Sequence, residues 1–227
     1  TVYLVEAAEE AMKAFVEAGI KQARETLGLQ HPPVVQSQVV VGMPATMIAE
    51  TAKHDKTDLI IMGTRGEHGA TDDLFGSQTT ATLSRVHCPI LVVPEGAMAG
   101  KITTVAYATD LDEATPFMIW ETAKFLEPVH TILRLVHVQT KTEEVSPVKM
   151  NDIEEFFTDH APSLQLTFHT ISGKNVVQEL NDFAKNWAVD LLVMHSAHRN
   201  FLERLFHKST TREEVLHGKV PLLVLKD

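Results

Sequence analysis

The chain has 227 residues, with 20 Lys and Arg against 30 Asp and Glu, for a formal net charge of −10. It carries no basic block to drive counterion release from nucleic acid and no apolar run near the roughly 18–20 residues that span a bilayer, so neither partner is expected. The single cysteine, Cys88, excludes an internal disulfide and fits a cytoplasmic location; its place before Pro89-Ile90-Leu91-Val92-Val93 reads as a packed thiol.

In chain order, residues 7–27 carry a helical apolar period, Val34–Val41 reads as a strand and Ala45–Lys53 as a helix. Leu59–Met62 is expected as a strand, Gln78–Arg85 as a helix and Ile90–Val93 as a strand, with Thr1–Val5 a further strand candidate. Pro94–Gly100, short and rich in Gly and Ala, is a linker that should keep its flanks close. Beyond it, strands are expected at Ile102–Ala108, Thr131–Val138, Leu164–Ile171, Leu191–His195 and Leu222–Leu225. Helices are expected at Thr115–Leu126, Asp152–His160, Val176–Ala188 and Thr210–Leu216. Such alternation predicts an α/β fold, a parallel sheet covered on both faces. Trp120 and Trp187 fall on the predicted helices and are expected in the core.

One stretch is written twice. Asp58-Leu-Ile-Ile-Met62-Gly63-Thr-Arg65-Gly66, nine residues and Gly76-Ser77 return 132 positions later as Asp190-Leu-Leu-Val-Met194-His195-Ser-Ala-His198, nine residues and Lys208-Ser209. The register continues to Pro89 and Pro221. The chain is therefore a tandem repeat. Its first half shows no counterpart of the strand–helix unit Lys101–Leu126, so the sequence reads as a piece of a longer chain.

Gly63 closes an apolar run expected to be a buried parallel strand, and ligands of open α/β sheets sit beyond the carboxyl ends of strands. Glycines there permit positive φ and a close backbone approach. Gly76-Ser77 precedes a helix whose first N–H groups and dipole favour an anion, and Ser77 can cap that helix or donate to a phosphate. The chemistry points to a polyphosphate, although no lysine follows the last glycine as in a P-loop. By spacing alone, a turn and a helix cap account for the loop equally well.

Gly63-x-x-Gly66, nine residues and Gly76-Ser77, closed by Cys88-Pro-Ile-Leu-Val-Val-Pro94, resembles the ATP-binding signature of the universal stress protein family. Val41-Gly42-Met43-Pro44-Ala45 before a helix matches it too, and the resemblance covers both halves, as in a tandem universal stress protein. It implies two flavodoxin-like (adenine nucleotide alpha hydrolase-like) domains at 1–94 and 101–227. Each would be an open parallel five-stranded sheet with helices on both faces, the first lacking its opening strand–helix unit. It implies an ATP site at Met62, Gly63, Arg65, Gly66, Gly76, Ser77 and Gln78, with the glycines and the serine on phosphates and ribose and Met62 lining the pocket. It implies that Ile90–Val93 and Leu222–Leu225 pair, across a homodimer or within the chain. The family's adenine-side Asp matches Asp110 and would precede residue 1 in the first half.

In the second half His195, His198 and Lys208 replace the three glycines, adding bulk where backbone must approach phosphate. ATP is therefore expected in the first half alone. His195, His198 and His207, with His217 further off, are the candidate metal ligands, since three imidazoles and a water suit zinc. Their spacing follows no zinc pattern, and zinc is not expected. No nucleophile–base–orienter arrangement is visible, so at most weak ATP hydrolysis is expected. The reading is a nucleotide-binding sensor or regulator of a stress response. Its alternatives are a scaffold without nucleotide that works through dimer surfaces, and a histidine-based metal-binding variant.

Overall fold

The structure is a computed structural model that describes residues 2–28, 30–31, 33–63, 77–97, 100–129, 131–140, 148–161, 163–195 and 220–226. The chain divides into two compact units, Thr1–Met47 and Ile48–Asp227.

In the first unit, helix α1 (Val2–Leu27) starts earlier than the expected 7–27 and takes in the segment considered as an opening strand. Its run of Ala, Glu, Leu and Met favours helix, and a strand there would need a ladder partner. Gly28 ends the helix at φ +64°, and its N–H donates to the Arg24 carbonyl at 3.0 Å, a left-handed cap that glycine takes without strain. Val34–Val41 is no strand: the segment belongs to no ladder, and Val34 is 92% exposed. Its counterpart in the second half, Leu166–Ser172, forms a ladder with Ile132–Gln139. The matching positions of the first half are helical, so among the described residues the segment has no neighbour to complete its hydrogen bonds.

Helix α2 (Pro44–His54) leads to β1 (Ile60–Gly63), α3 (Ser77–Leu83) and β2 (Ile90–Val93). The second half supplies β3 (Thr104–Thr109), α4 (Thr115–Leu126), β4 (Ile132–Gln139), α5 (Met150–His160), β5 (Leu166–Ser172), α6 (Val176–Asn186), β6 (Leu191–His195) and β7 (Leu222–Leu225). The expected helix Thr210–Leu216 lies outside the described residues. One seven-stranded sheet runs β1-β2-β7-β6-β3-β4-β5. Every pairing is parallel except β2 with β7, where Ile90, Leu91 and Val92 face Val224, Leu223 and Leu222 antiparallel. The second half supplies the five parallel strands expected of it, and among the described residues the incomplete first half adds two, β1 and β2. The last strands pair within the chain, and each has a neighbour on both sides.

Apolar residues on alternate faces of the strands form two cores. On one face Ile90, Val92, Val136, Met194 and Val224 pack with Leu83 of α3 and Leu180 and Phe183 of α6. On the other, Tyr107, Leu135, Val193 and Leu223 pack with Ile119 of α4 and Ile153 and Phe157 of α5. Local signals fix the helices. Asn175 caps α6 by accepting from the N–H groups of Val177 and Gln178, and Pro116 sits in the first turn of α4, where a missing N–H costs nothing. Lys226, just past β7, donates to the Leu83 carbonyl at 2.6 Å, where a cation favours the helix C-terminus.

Asp190 fastens β6 to β3. One of its oxygens accepts from the Thr103 N–H at 2.8 Å, the Thr103 hydroxyl at 2.7 Å and the Thr104 N–H at 3.0 Å. Desolvation pushes its pKa up, yet the hydrogen bonds from Thr103 and Thr104 outweigh it and hold the carboxyl below its ordinary value. As pH falls, the unfolded chain takes up this proton first. The clamp's contribution is therefore complete above the ordinary value near ~3.9 and is lost as pH drops through the lower folded value. Urea unfolding at a series of acid pH values should show a shallower loss of stability for Asp190→Asn than for the wild type below about pH 4; equal slopes would refute the clamp. Leu223, buried at the antiparallel junction, gives a second test. Leu223→Ala should cost about 2–5 kcal/mol in the same measurement, and a loss under about 1 kcal/mol would mean the junction lies outside the cooperative unit.

Candidate functional site

Because β2 and β7 are antiparallel while each half is internally parallel, the two halves present their strand carboxyl ends at opposite edges of the sheet. The chain therefore has two crevice positions of the kind that α/β sheets use for ligands, one per half.

In the first half, Gly63 closes β1 in register with Val93. Its carbonyl accepts from the hydroxyl of Thr79 at 3.1 Å. Thr79 lies in the first turn of α3 and is buried, so this bond ties the start of the helix to the end of the strand. Thr82, also buried, donates to the Gln78 carbonyl at 2.8 Å. Among the sequence candidates, Met62 is half-buried in β1, Gln78 is exposed on α3 and Ser77 opens α3. The structure brings Gly63 and the start of α3 together through Thr79. Arg65, Gly66 and Gly76 lie outside the described residues. Sequence reasoning missed Thr79; a hydroxyl residue two positions after Ser77, on the buried side of the helix, was the available signal.

In the second half, His195 stands where Gly63 stands in the first. It closes β6 in register with Leu225 and is only 3% exposed, so a packed imidazole stands where the first half has no side chain. His198, His207, His217 and Lys208 lie outside the described residues. Among the described residues no three of His, Cys, Asp and Glu are grouped to hold a metal ion.

Next to it, the turn after β3 is locked by side chains. The Leu111 N–H donates to the Thr109 hydroxyl at 3.0 Å, and that hydroxyl lies 3.0 Å from the Thr115 hydroxyl, which donates to Asp112 at 2.8 Å. Leu111 takes φ +61°. The buried His137 on β4 places Nδ1 3.0 Å from the Thr109 carbonyl. Burial pushes the Tyr107 hydroxyl well above its ordinary value, and the carboxylates of Asp112 and Asp110 push it further. Asp110, the sequence candidate for the adenine side, is exposed just beyond β3. The Thr109-Asp110-Leu111-Asp112 stretch with Thr115 carried the signature of a side-chain-bonded turn; His137 carried none, since its partner comes from another strand.

Cys88 is partly buried, and burial pushes its thiol up, as a packed thiol requires. Trp120 and Trp187 are corrections: they are 42% and 44% exposed. Trp187 falls at the C-cap of α6 rather than on its packed face. Among the described residues no helix is long and apolar enough to cross a membrane.

The sequence matches the Universal stress protein family over residues 2–94 and 101–226. A universal stress protein of Thermus aquaticus is 40% identical over 86 residues, 37% of this chain and 62% of that protein. One from Methanocaldococcus jannaschii is 36% identical over 90 residues, 40% of this chain and 48% of its own length. The chain thus spans less than two thirds of the curated relatives it matches. In solved structures, a universal stress protein from Archaeoglobus fulgidus shares the fold at a TM-score of 0.71 and 19% identity, over 99% of this chain and 78% of that one. With both halves matched and the sheet built as found, the chain belongs to the universal stress protein family.

Proposed function

We propose that the first half binds an adenine nucleotide, ATP, in the loop from Gly63 to Ser77, and that the chain serves as a nucleotide-responsive regulator of a cytoplasmic stress response. The observation that carries this reading is the spacing Gly63-x-x-Gly66, nine residues, Gly76-Ser77 between the end of β1 and the start of α3. Glycine at these points lets backbone N–H groups reach phosphate oxygens without a Cβ in the way. The Thr79–Gly63 bond holds the two ends of the cradle together before ligand arrives, which lowers the ordering cost of binding.

Arg65 supplies the loop's cation, Met62 the apolar wall, and Ser77 and Gln78 polar contacts at the helix start. The second half is a support: the buried His195 stands where the first half has Gly63, so a polyphosphate there would meet a side chain in place of open backbone. The sequence carries no nucleophile–base–orienter signature, and the reading includes at most slow hydrolysis. The extended segment from Val34 and the exposed Ile61 on β1 favour a second reading, a scaffold that works through its surfaces without nucleotide.

Ligand at 100 times its dissociation constant stabilises by about 2.7 kcal/mol, which a thermal melt resolves. ATP should raise the melting temperature of the wild type and of Lys208→Ala. Gly76→Val should lose the rise, and Thr79→Val should bind several-fold more weakly. A wild-type melt that ATP leaves unmoved, with no nucleotide found by mass spectrometry of the purified protein, would leave the scaffold reading standing.

A further inference from the structure

A second cluster of polar and aromatic side chains lies near the β5 edge of the sheet. Arg134 of β4 stands in register with Thr167 of β5, and its Nη1 donates to the Thr167 hydroxyl at 3.3 Å. That contact carries the guanidinium over β5, the last strand of the sheet. The Thr167 hydroxyl lies 3.0 Å from Nε2 of His169. A relay that satisfies all three groups runs from Arg134 through Thr167 to His169, with the ring proton on Nδ1. Trp187 lies against the guanidinium, 4.2 Å from its centre to the ring centroid. The His169, Phe183 and Trp187 rings pack around it with centroids 5.0 to 5.8 Å apart.

Among the described residues the cluster's cation has no counter-charge. Among the described residues no carboxylate stands within ion-pair distance of Arg134, and its Nε is sealed from solvent with no acceptor. The uncompensated cation, after desolvation, helps lower the His169 pKa. Buried donors of this kind are normally matched, and a half-buried guanidinium in a chain of net charge −10 has abundant acidic residues available elsewhere. The arrangement also has no copy in the first half, where the same repeat positions hold Val2, Val35, Ser37, Thr51 and Asp55.

We propose that Arg134, Thr167, His169 and Trp187 form a binding site for a monocarboxylate with a flat apolar body. The planar fork of a guanidinium matches a carboxylate through two parallel hydrogen bonds, which here fall to Nη2 and the second proton of Nη1, since Nε is sealed from solvent. One half-buried positive charge is neutralised by a monoanion, whereas a phosphate dianion would leave excess negative charge in a poorly solvated place. The indole of Trp187, 44% exposed, supplies an apolar rim for the body of the ligand. The site stands apart from both strand-end crevices: Arg134 and Thr167 lie near the amino ends of β4 and β5.

The probe is benzoate, followed by the indole N–H resonance of Trp187, which Trp187→Phe identifies, and by the ring resonances of His169. Benzoate should shift both saturably at about millimolar concentration or below, while chloride and inorganic phosphate at matched ionic strength should not. Arg134→Leu should abolish the shift, and Arg134→Lys, which keeps the charge and loses the fork, should weaken it about tenfold. A shift that never saturates, one that survives in Arg134→Leu, or saturation by phosphate ahead of benzoate would each overturn the proposal. Should Arg134→Leu not fold, unchanged benzoate affinity in Arg134→Lys overturns it as well.

Discussion

The antiparallel junction of β2 and β7 sets the rest of the architecture. Three residue pairs, Ile90 with Val224, Leu91 with Leu223 and Val92 with Leu222, convert two internally parallel halves into one continuous sheet. Since parallel strands are covered on both faces, the junction also lets the two apolar faces run across the repeat boundary: Val92 and Val224 enter one core, and Leu91 and Leu223 border the other. Lys226 adds a polar tie from beyond β7 to the end of α3. The reversal of direction places the two crevices on opposite edges. A ligand in one half therefore meets no side chain from the strand ends of the other, and the halves are free to diverge chemically.

That freedom shows most plainly at β1 and β6, which occupy equivalent places in the repeat. β6 is flanked by β3 and β7, every residue in it is buried, and Asp190 at its entrance grips the start of β3. Among the described residues β1 has a strand on one side only; it alternates half-buried with exposed residues and leaves Ile61 64% exposed. Asp58, the repeat partner of Asp190, is exposed. The same carboxylate thus clamps a strand in one half and faces water in the other. The difference is made by the neighbour, not by the residue.

The same reason separates what could be read from the sequence from what could not. Period-2 and period-3.6 patterns, caps and Pro/Gly punctuation are local. They placed α2, α4, β2, β6 and β7 to within a residue or so, while the pairing of the last strands came only from the family resemblance. Val34–Val41 failed because a strand needs a partner and no propensity supplies one. Thr1–Val5 failed because helix propagation from the residues behind it costs less than an isolated strand. The aromatic positions of Trp120 and Trp187 failed because hydropathy records what a side chain is, not whether its turn of helix faces the sheet. At the candidate nucleotide loop the glycines and Ser77 were visible as motif, whereas Thr79, Thr115 and His137 act through bonds to backbone or side chains brought near by the turn or the sheet.

These observations bear on how a repeat can specialise without losing its fold. The fold asks only that each strand end be closed by something. In the first half Gly63 ends β1 without a side chain, and its carbonyl is held by the hydroxyl of Thr79. In the second the buried His195 ends β6, and Thr109, Thr115, Asp112 and His137 knit the adjoining turn. Those hydrogen bonds satisfy polar groups within the fold and rigidify the turn. Glycine adds no Cβ at such a point and lets a ligand approach backbone, whereas an imidazole takes up room. The exchange of glycine for histidine at one repeat position, 63 against 195, therefore changes what the strand end offers to a ligand and leaves the ladder register beside it the same, Gly63 with Val93 and His195 with Leu225.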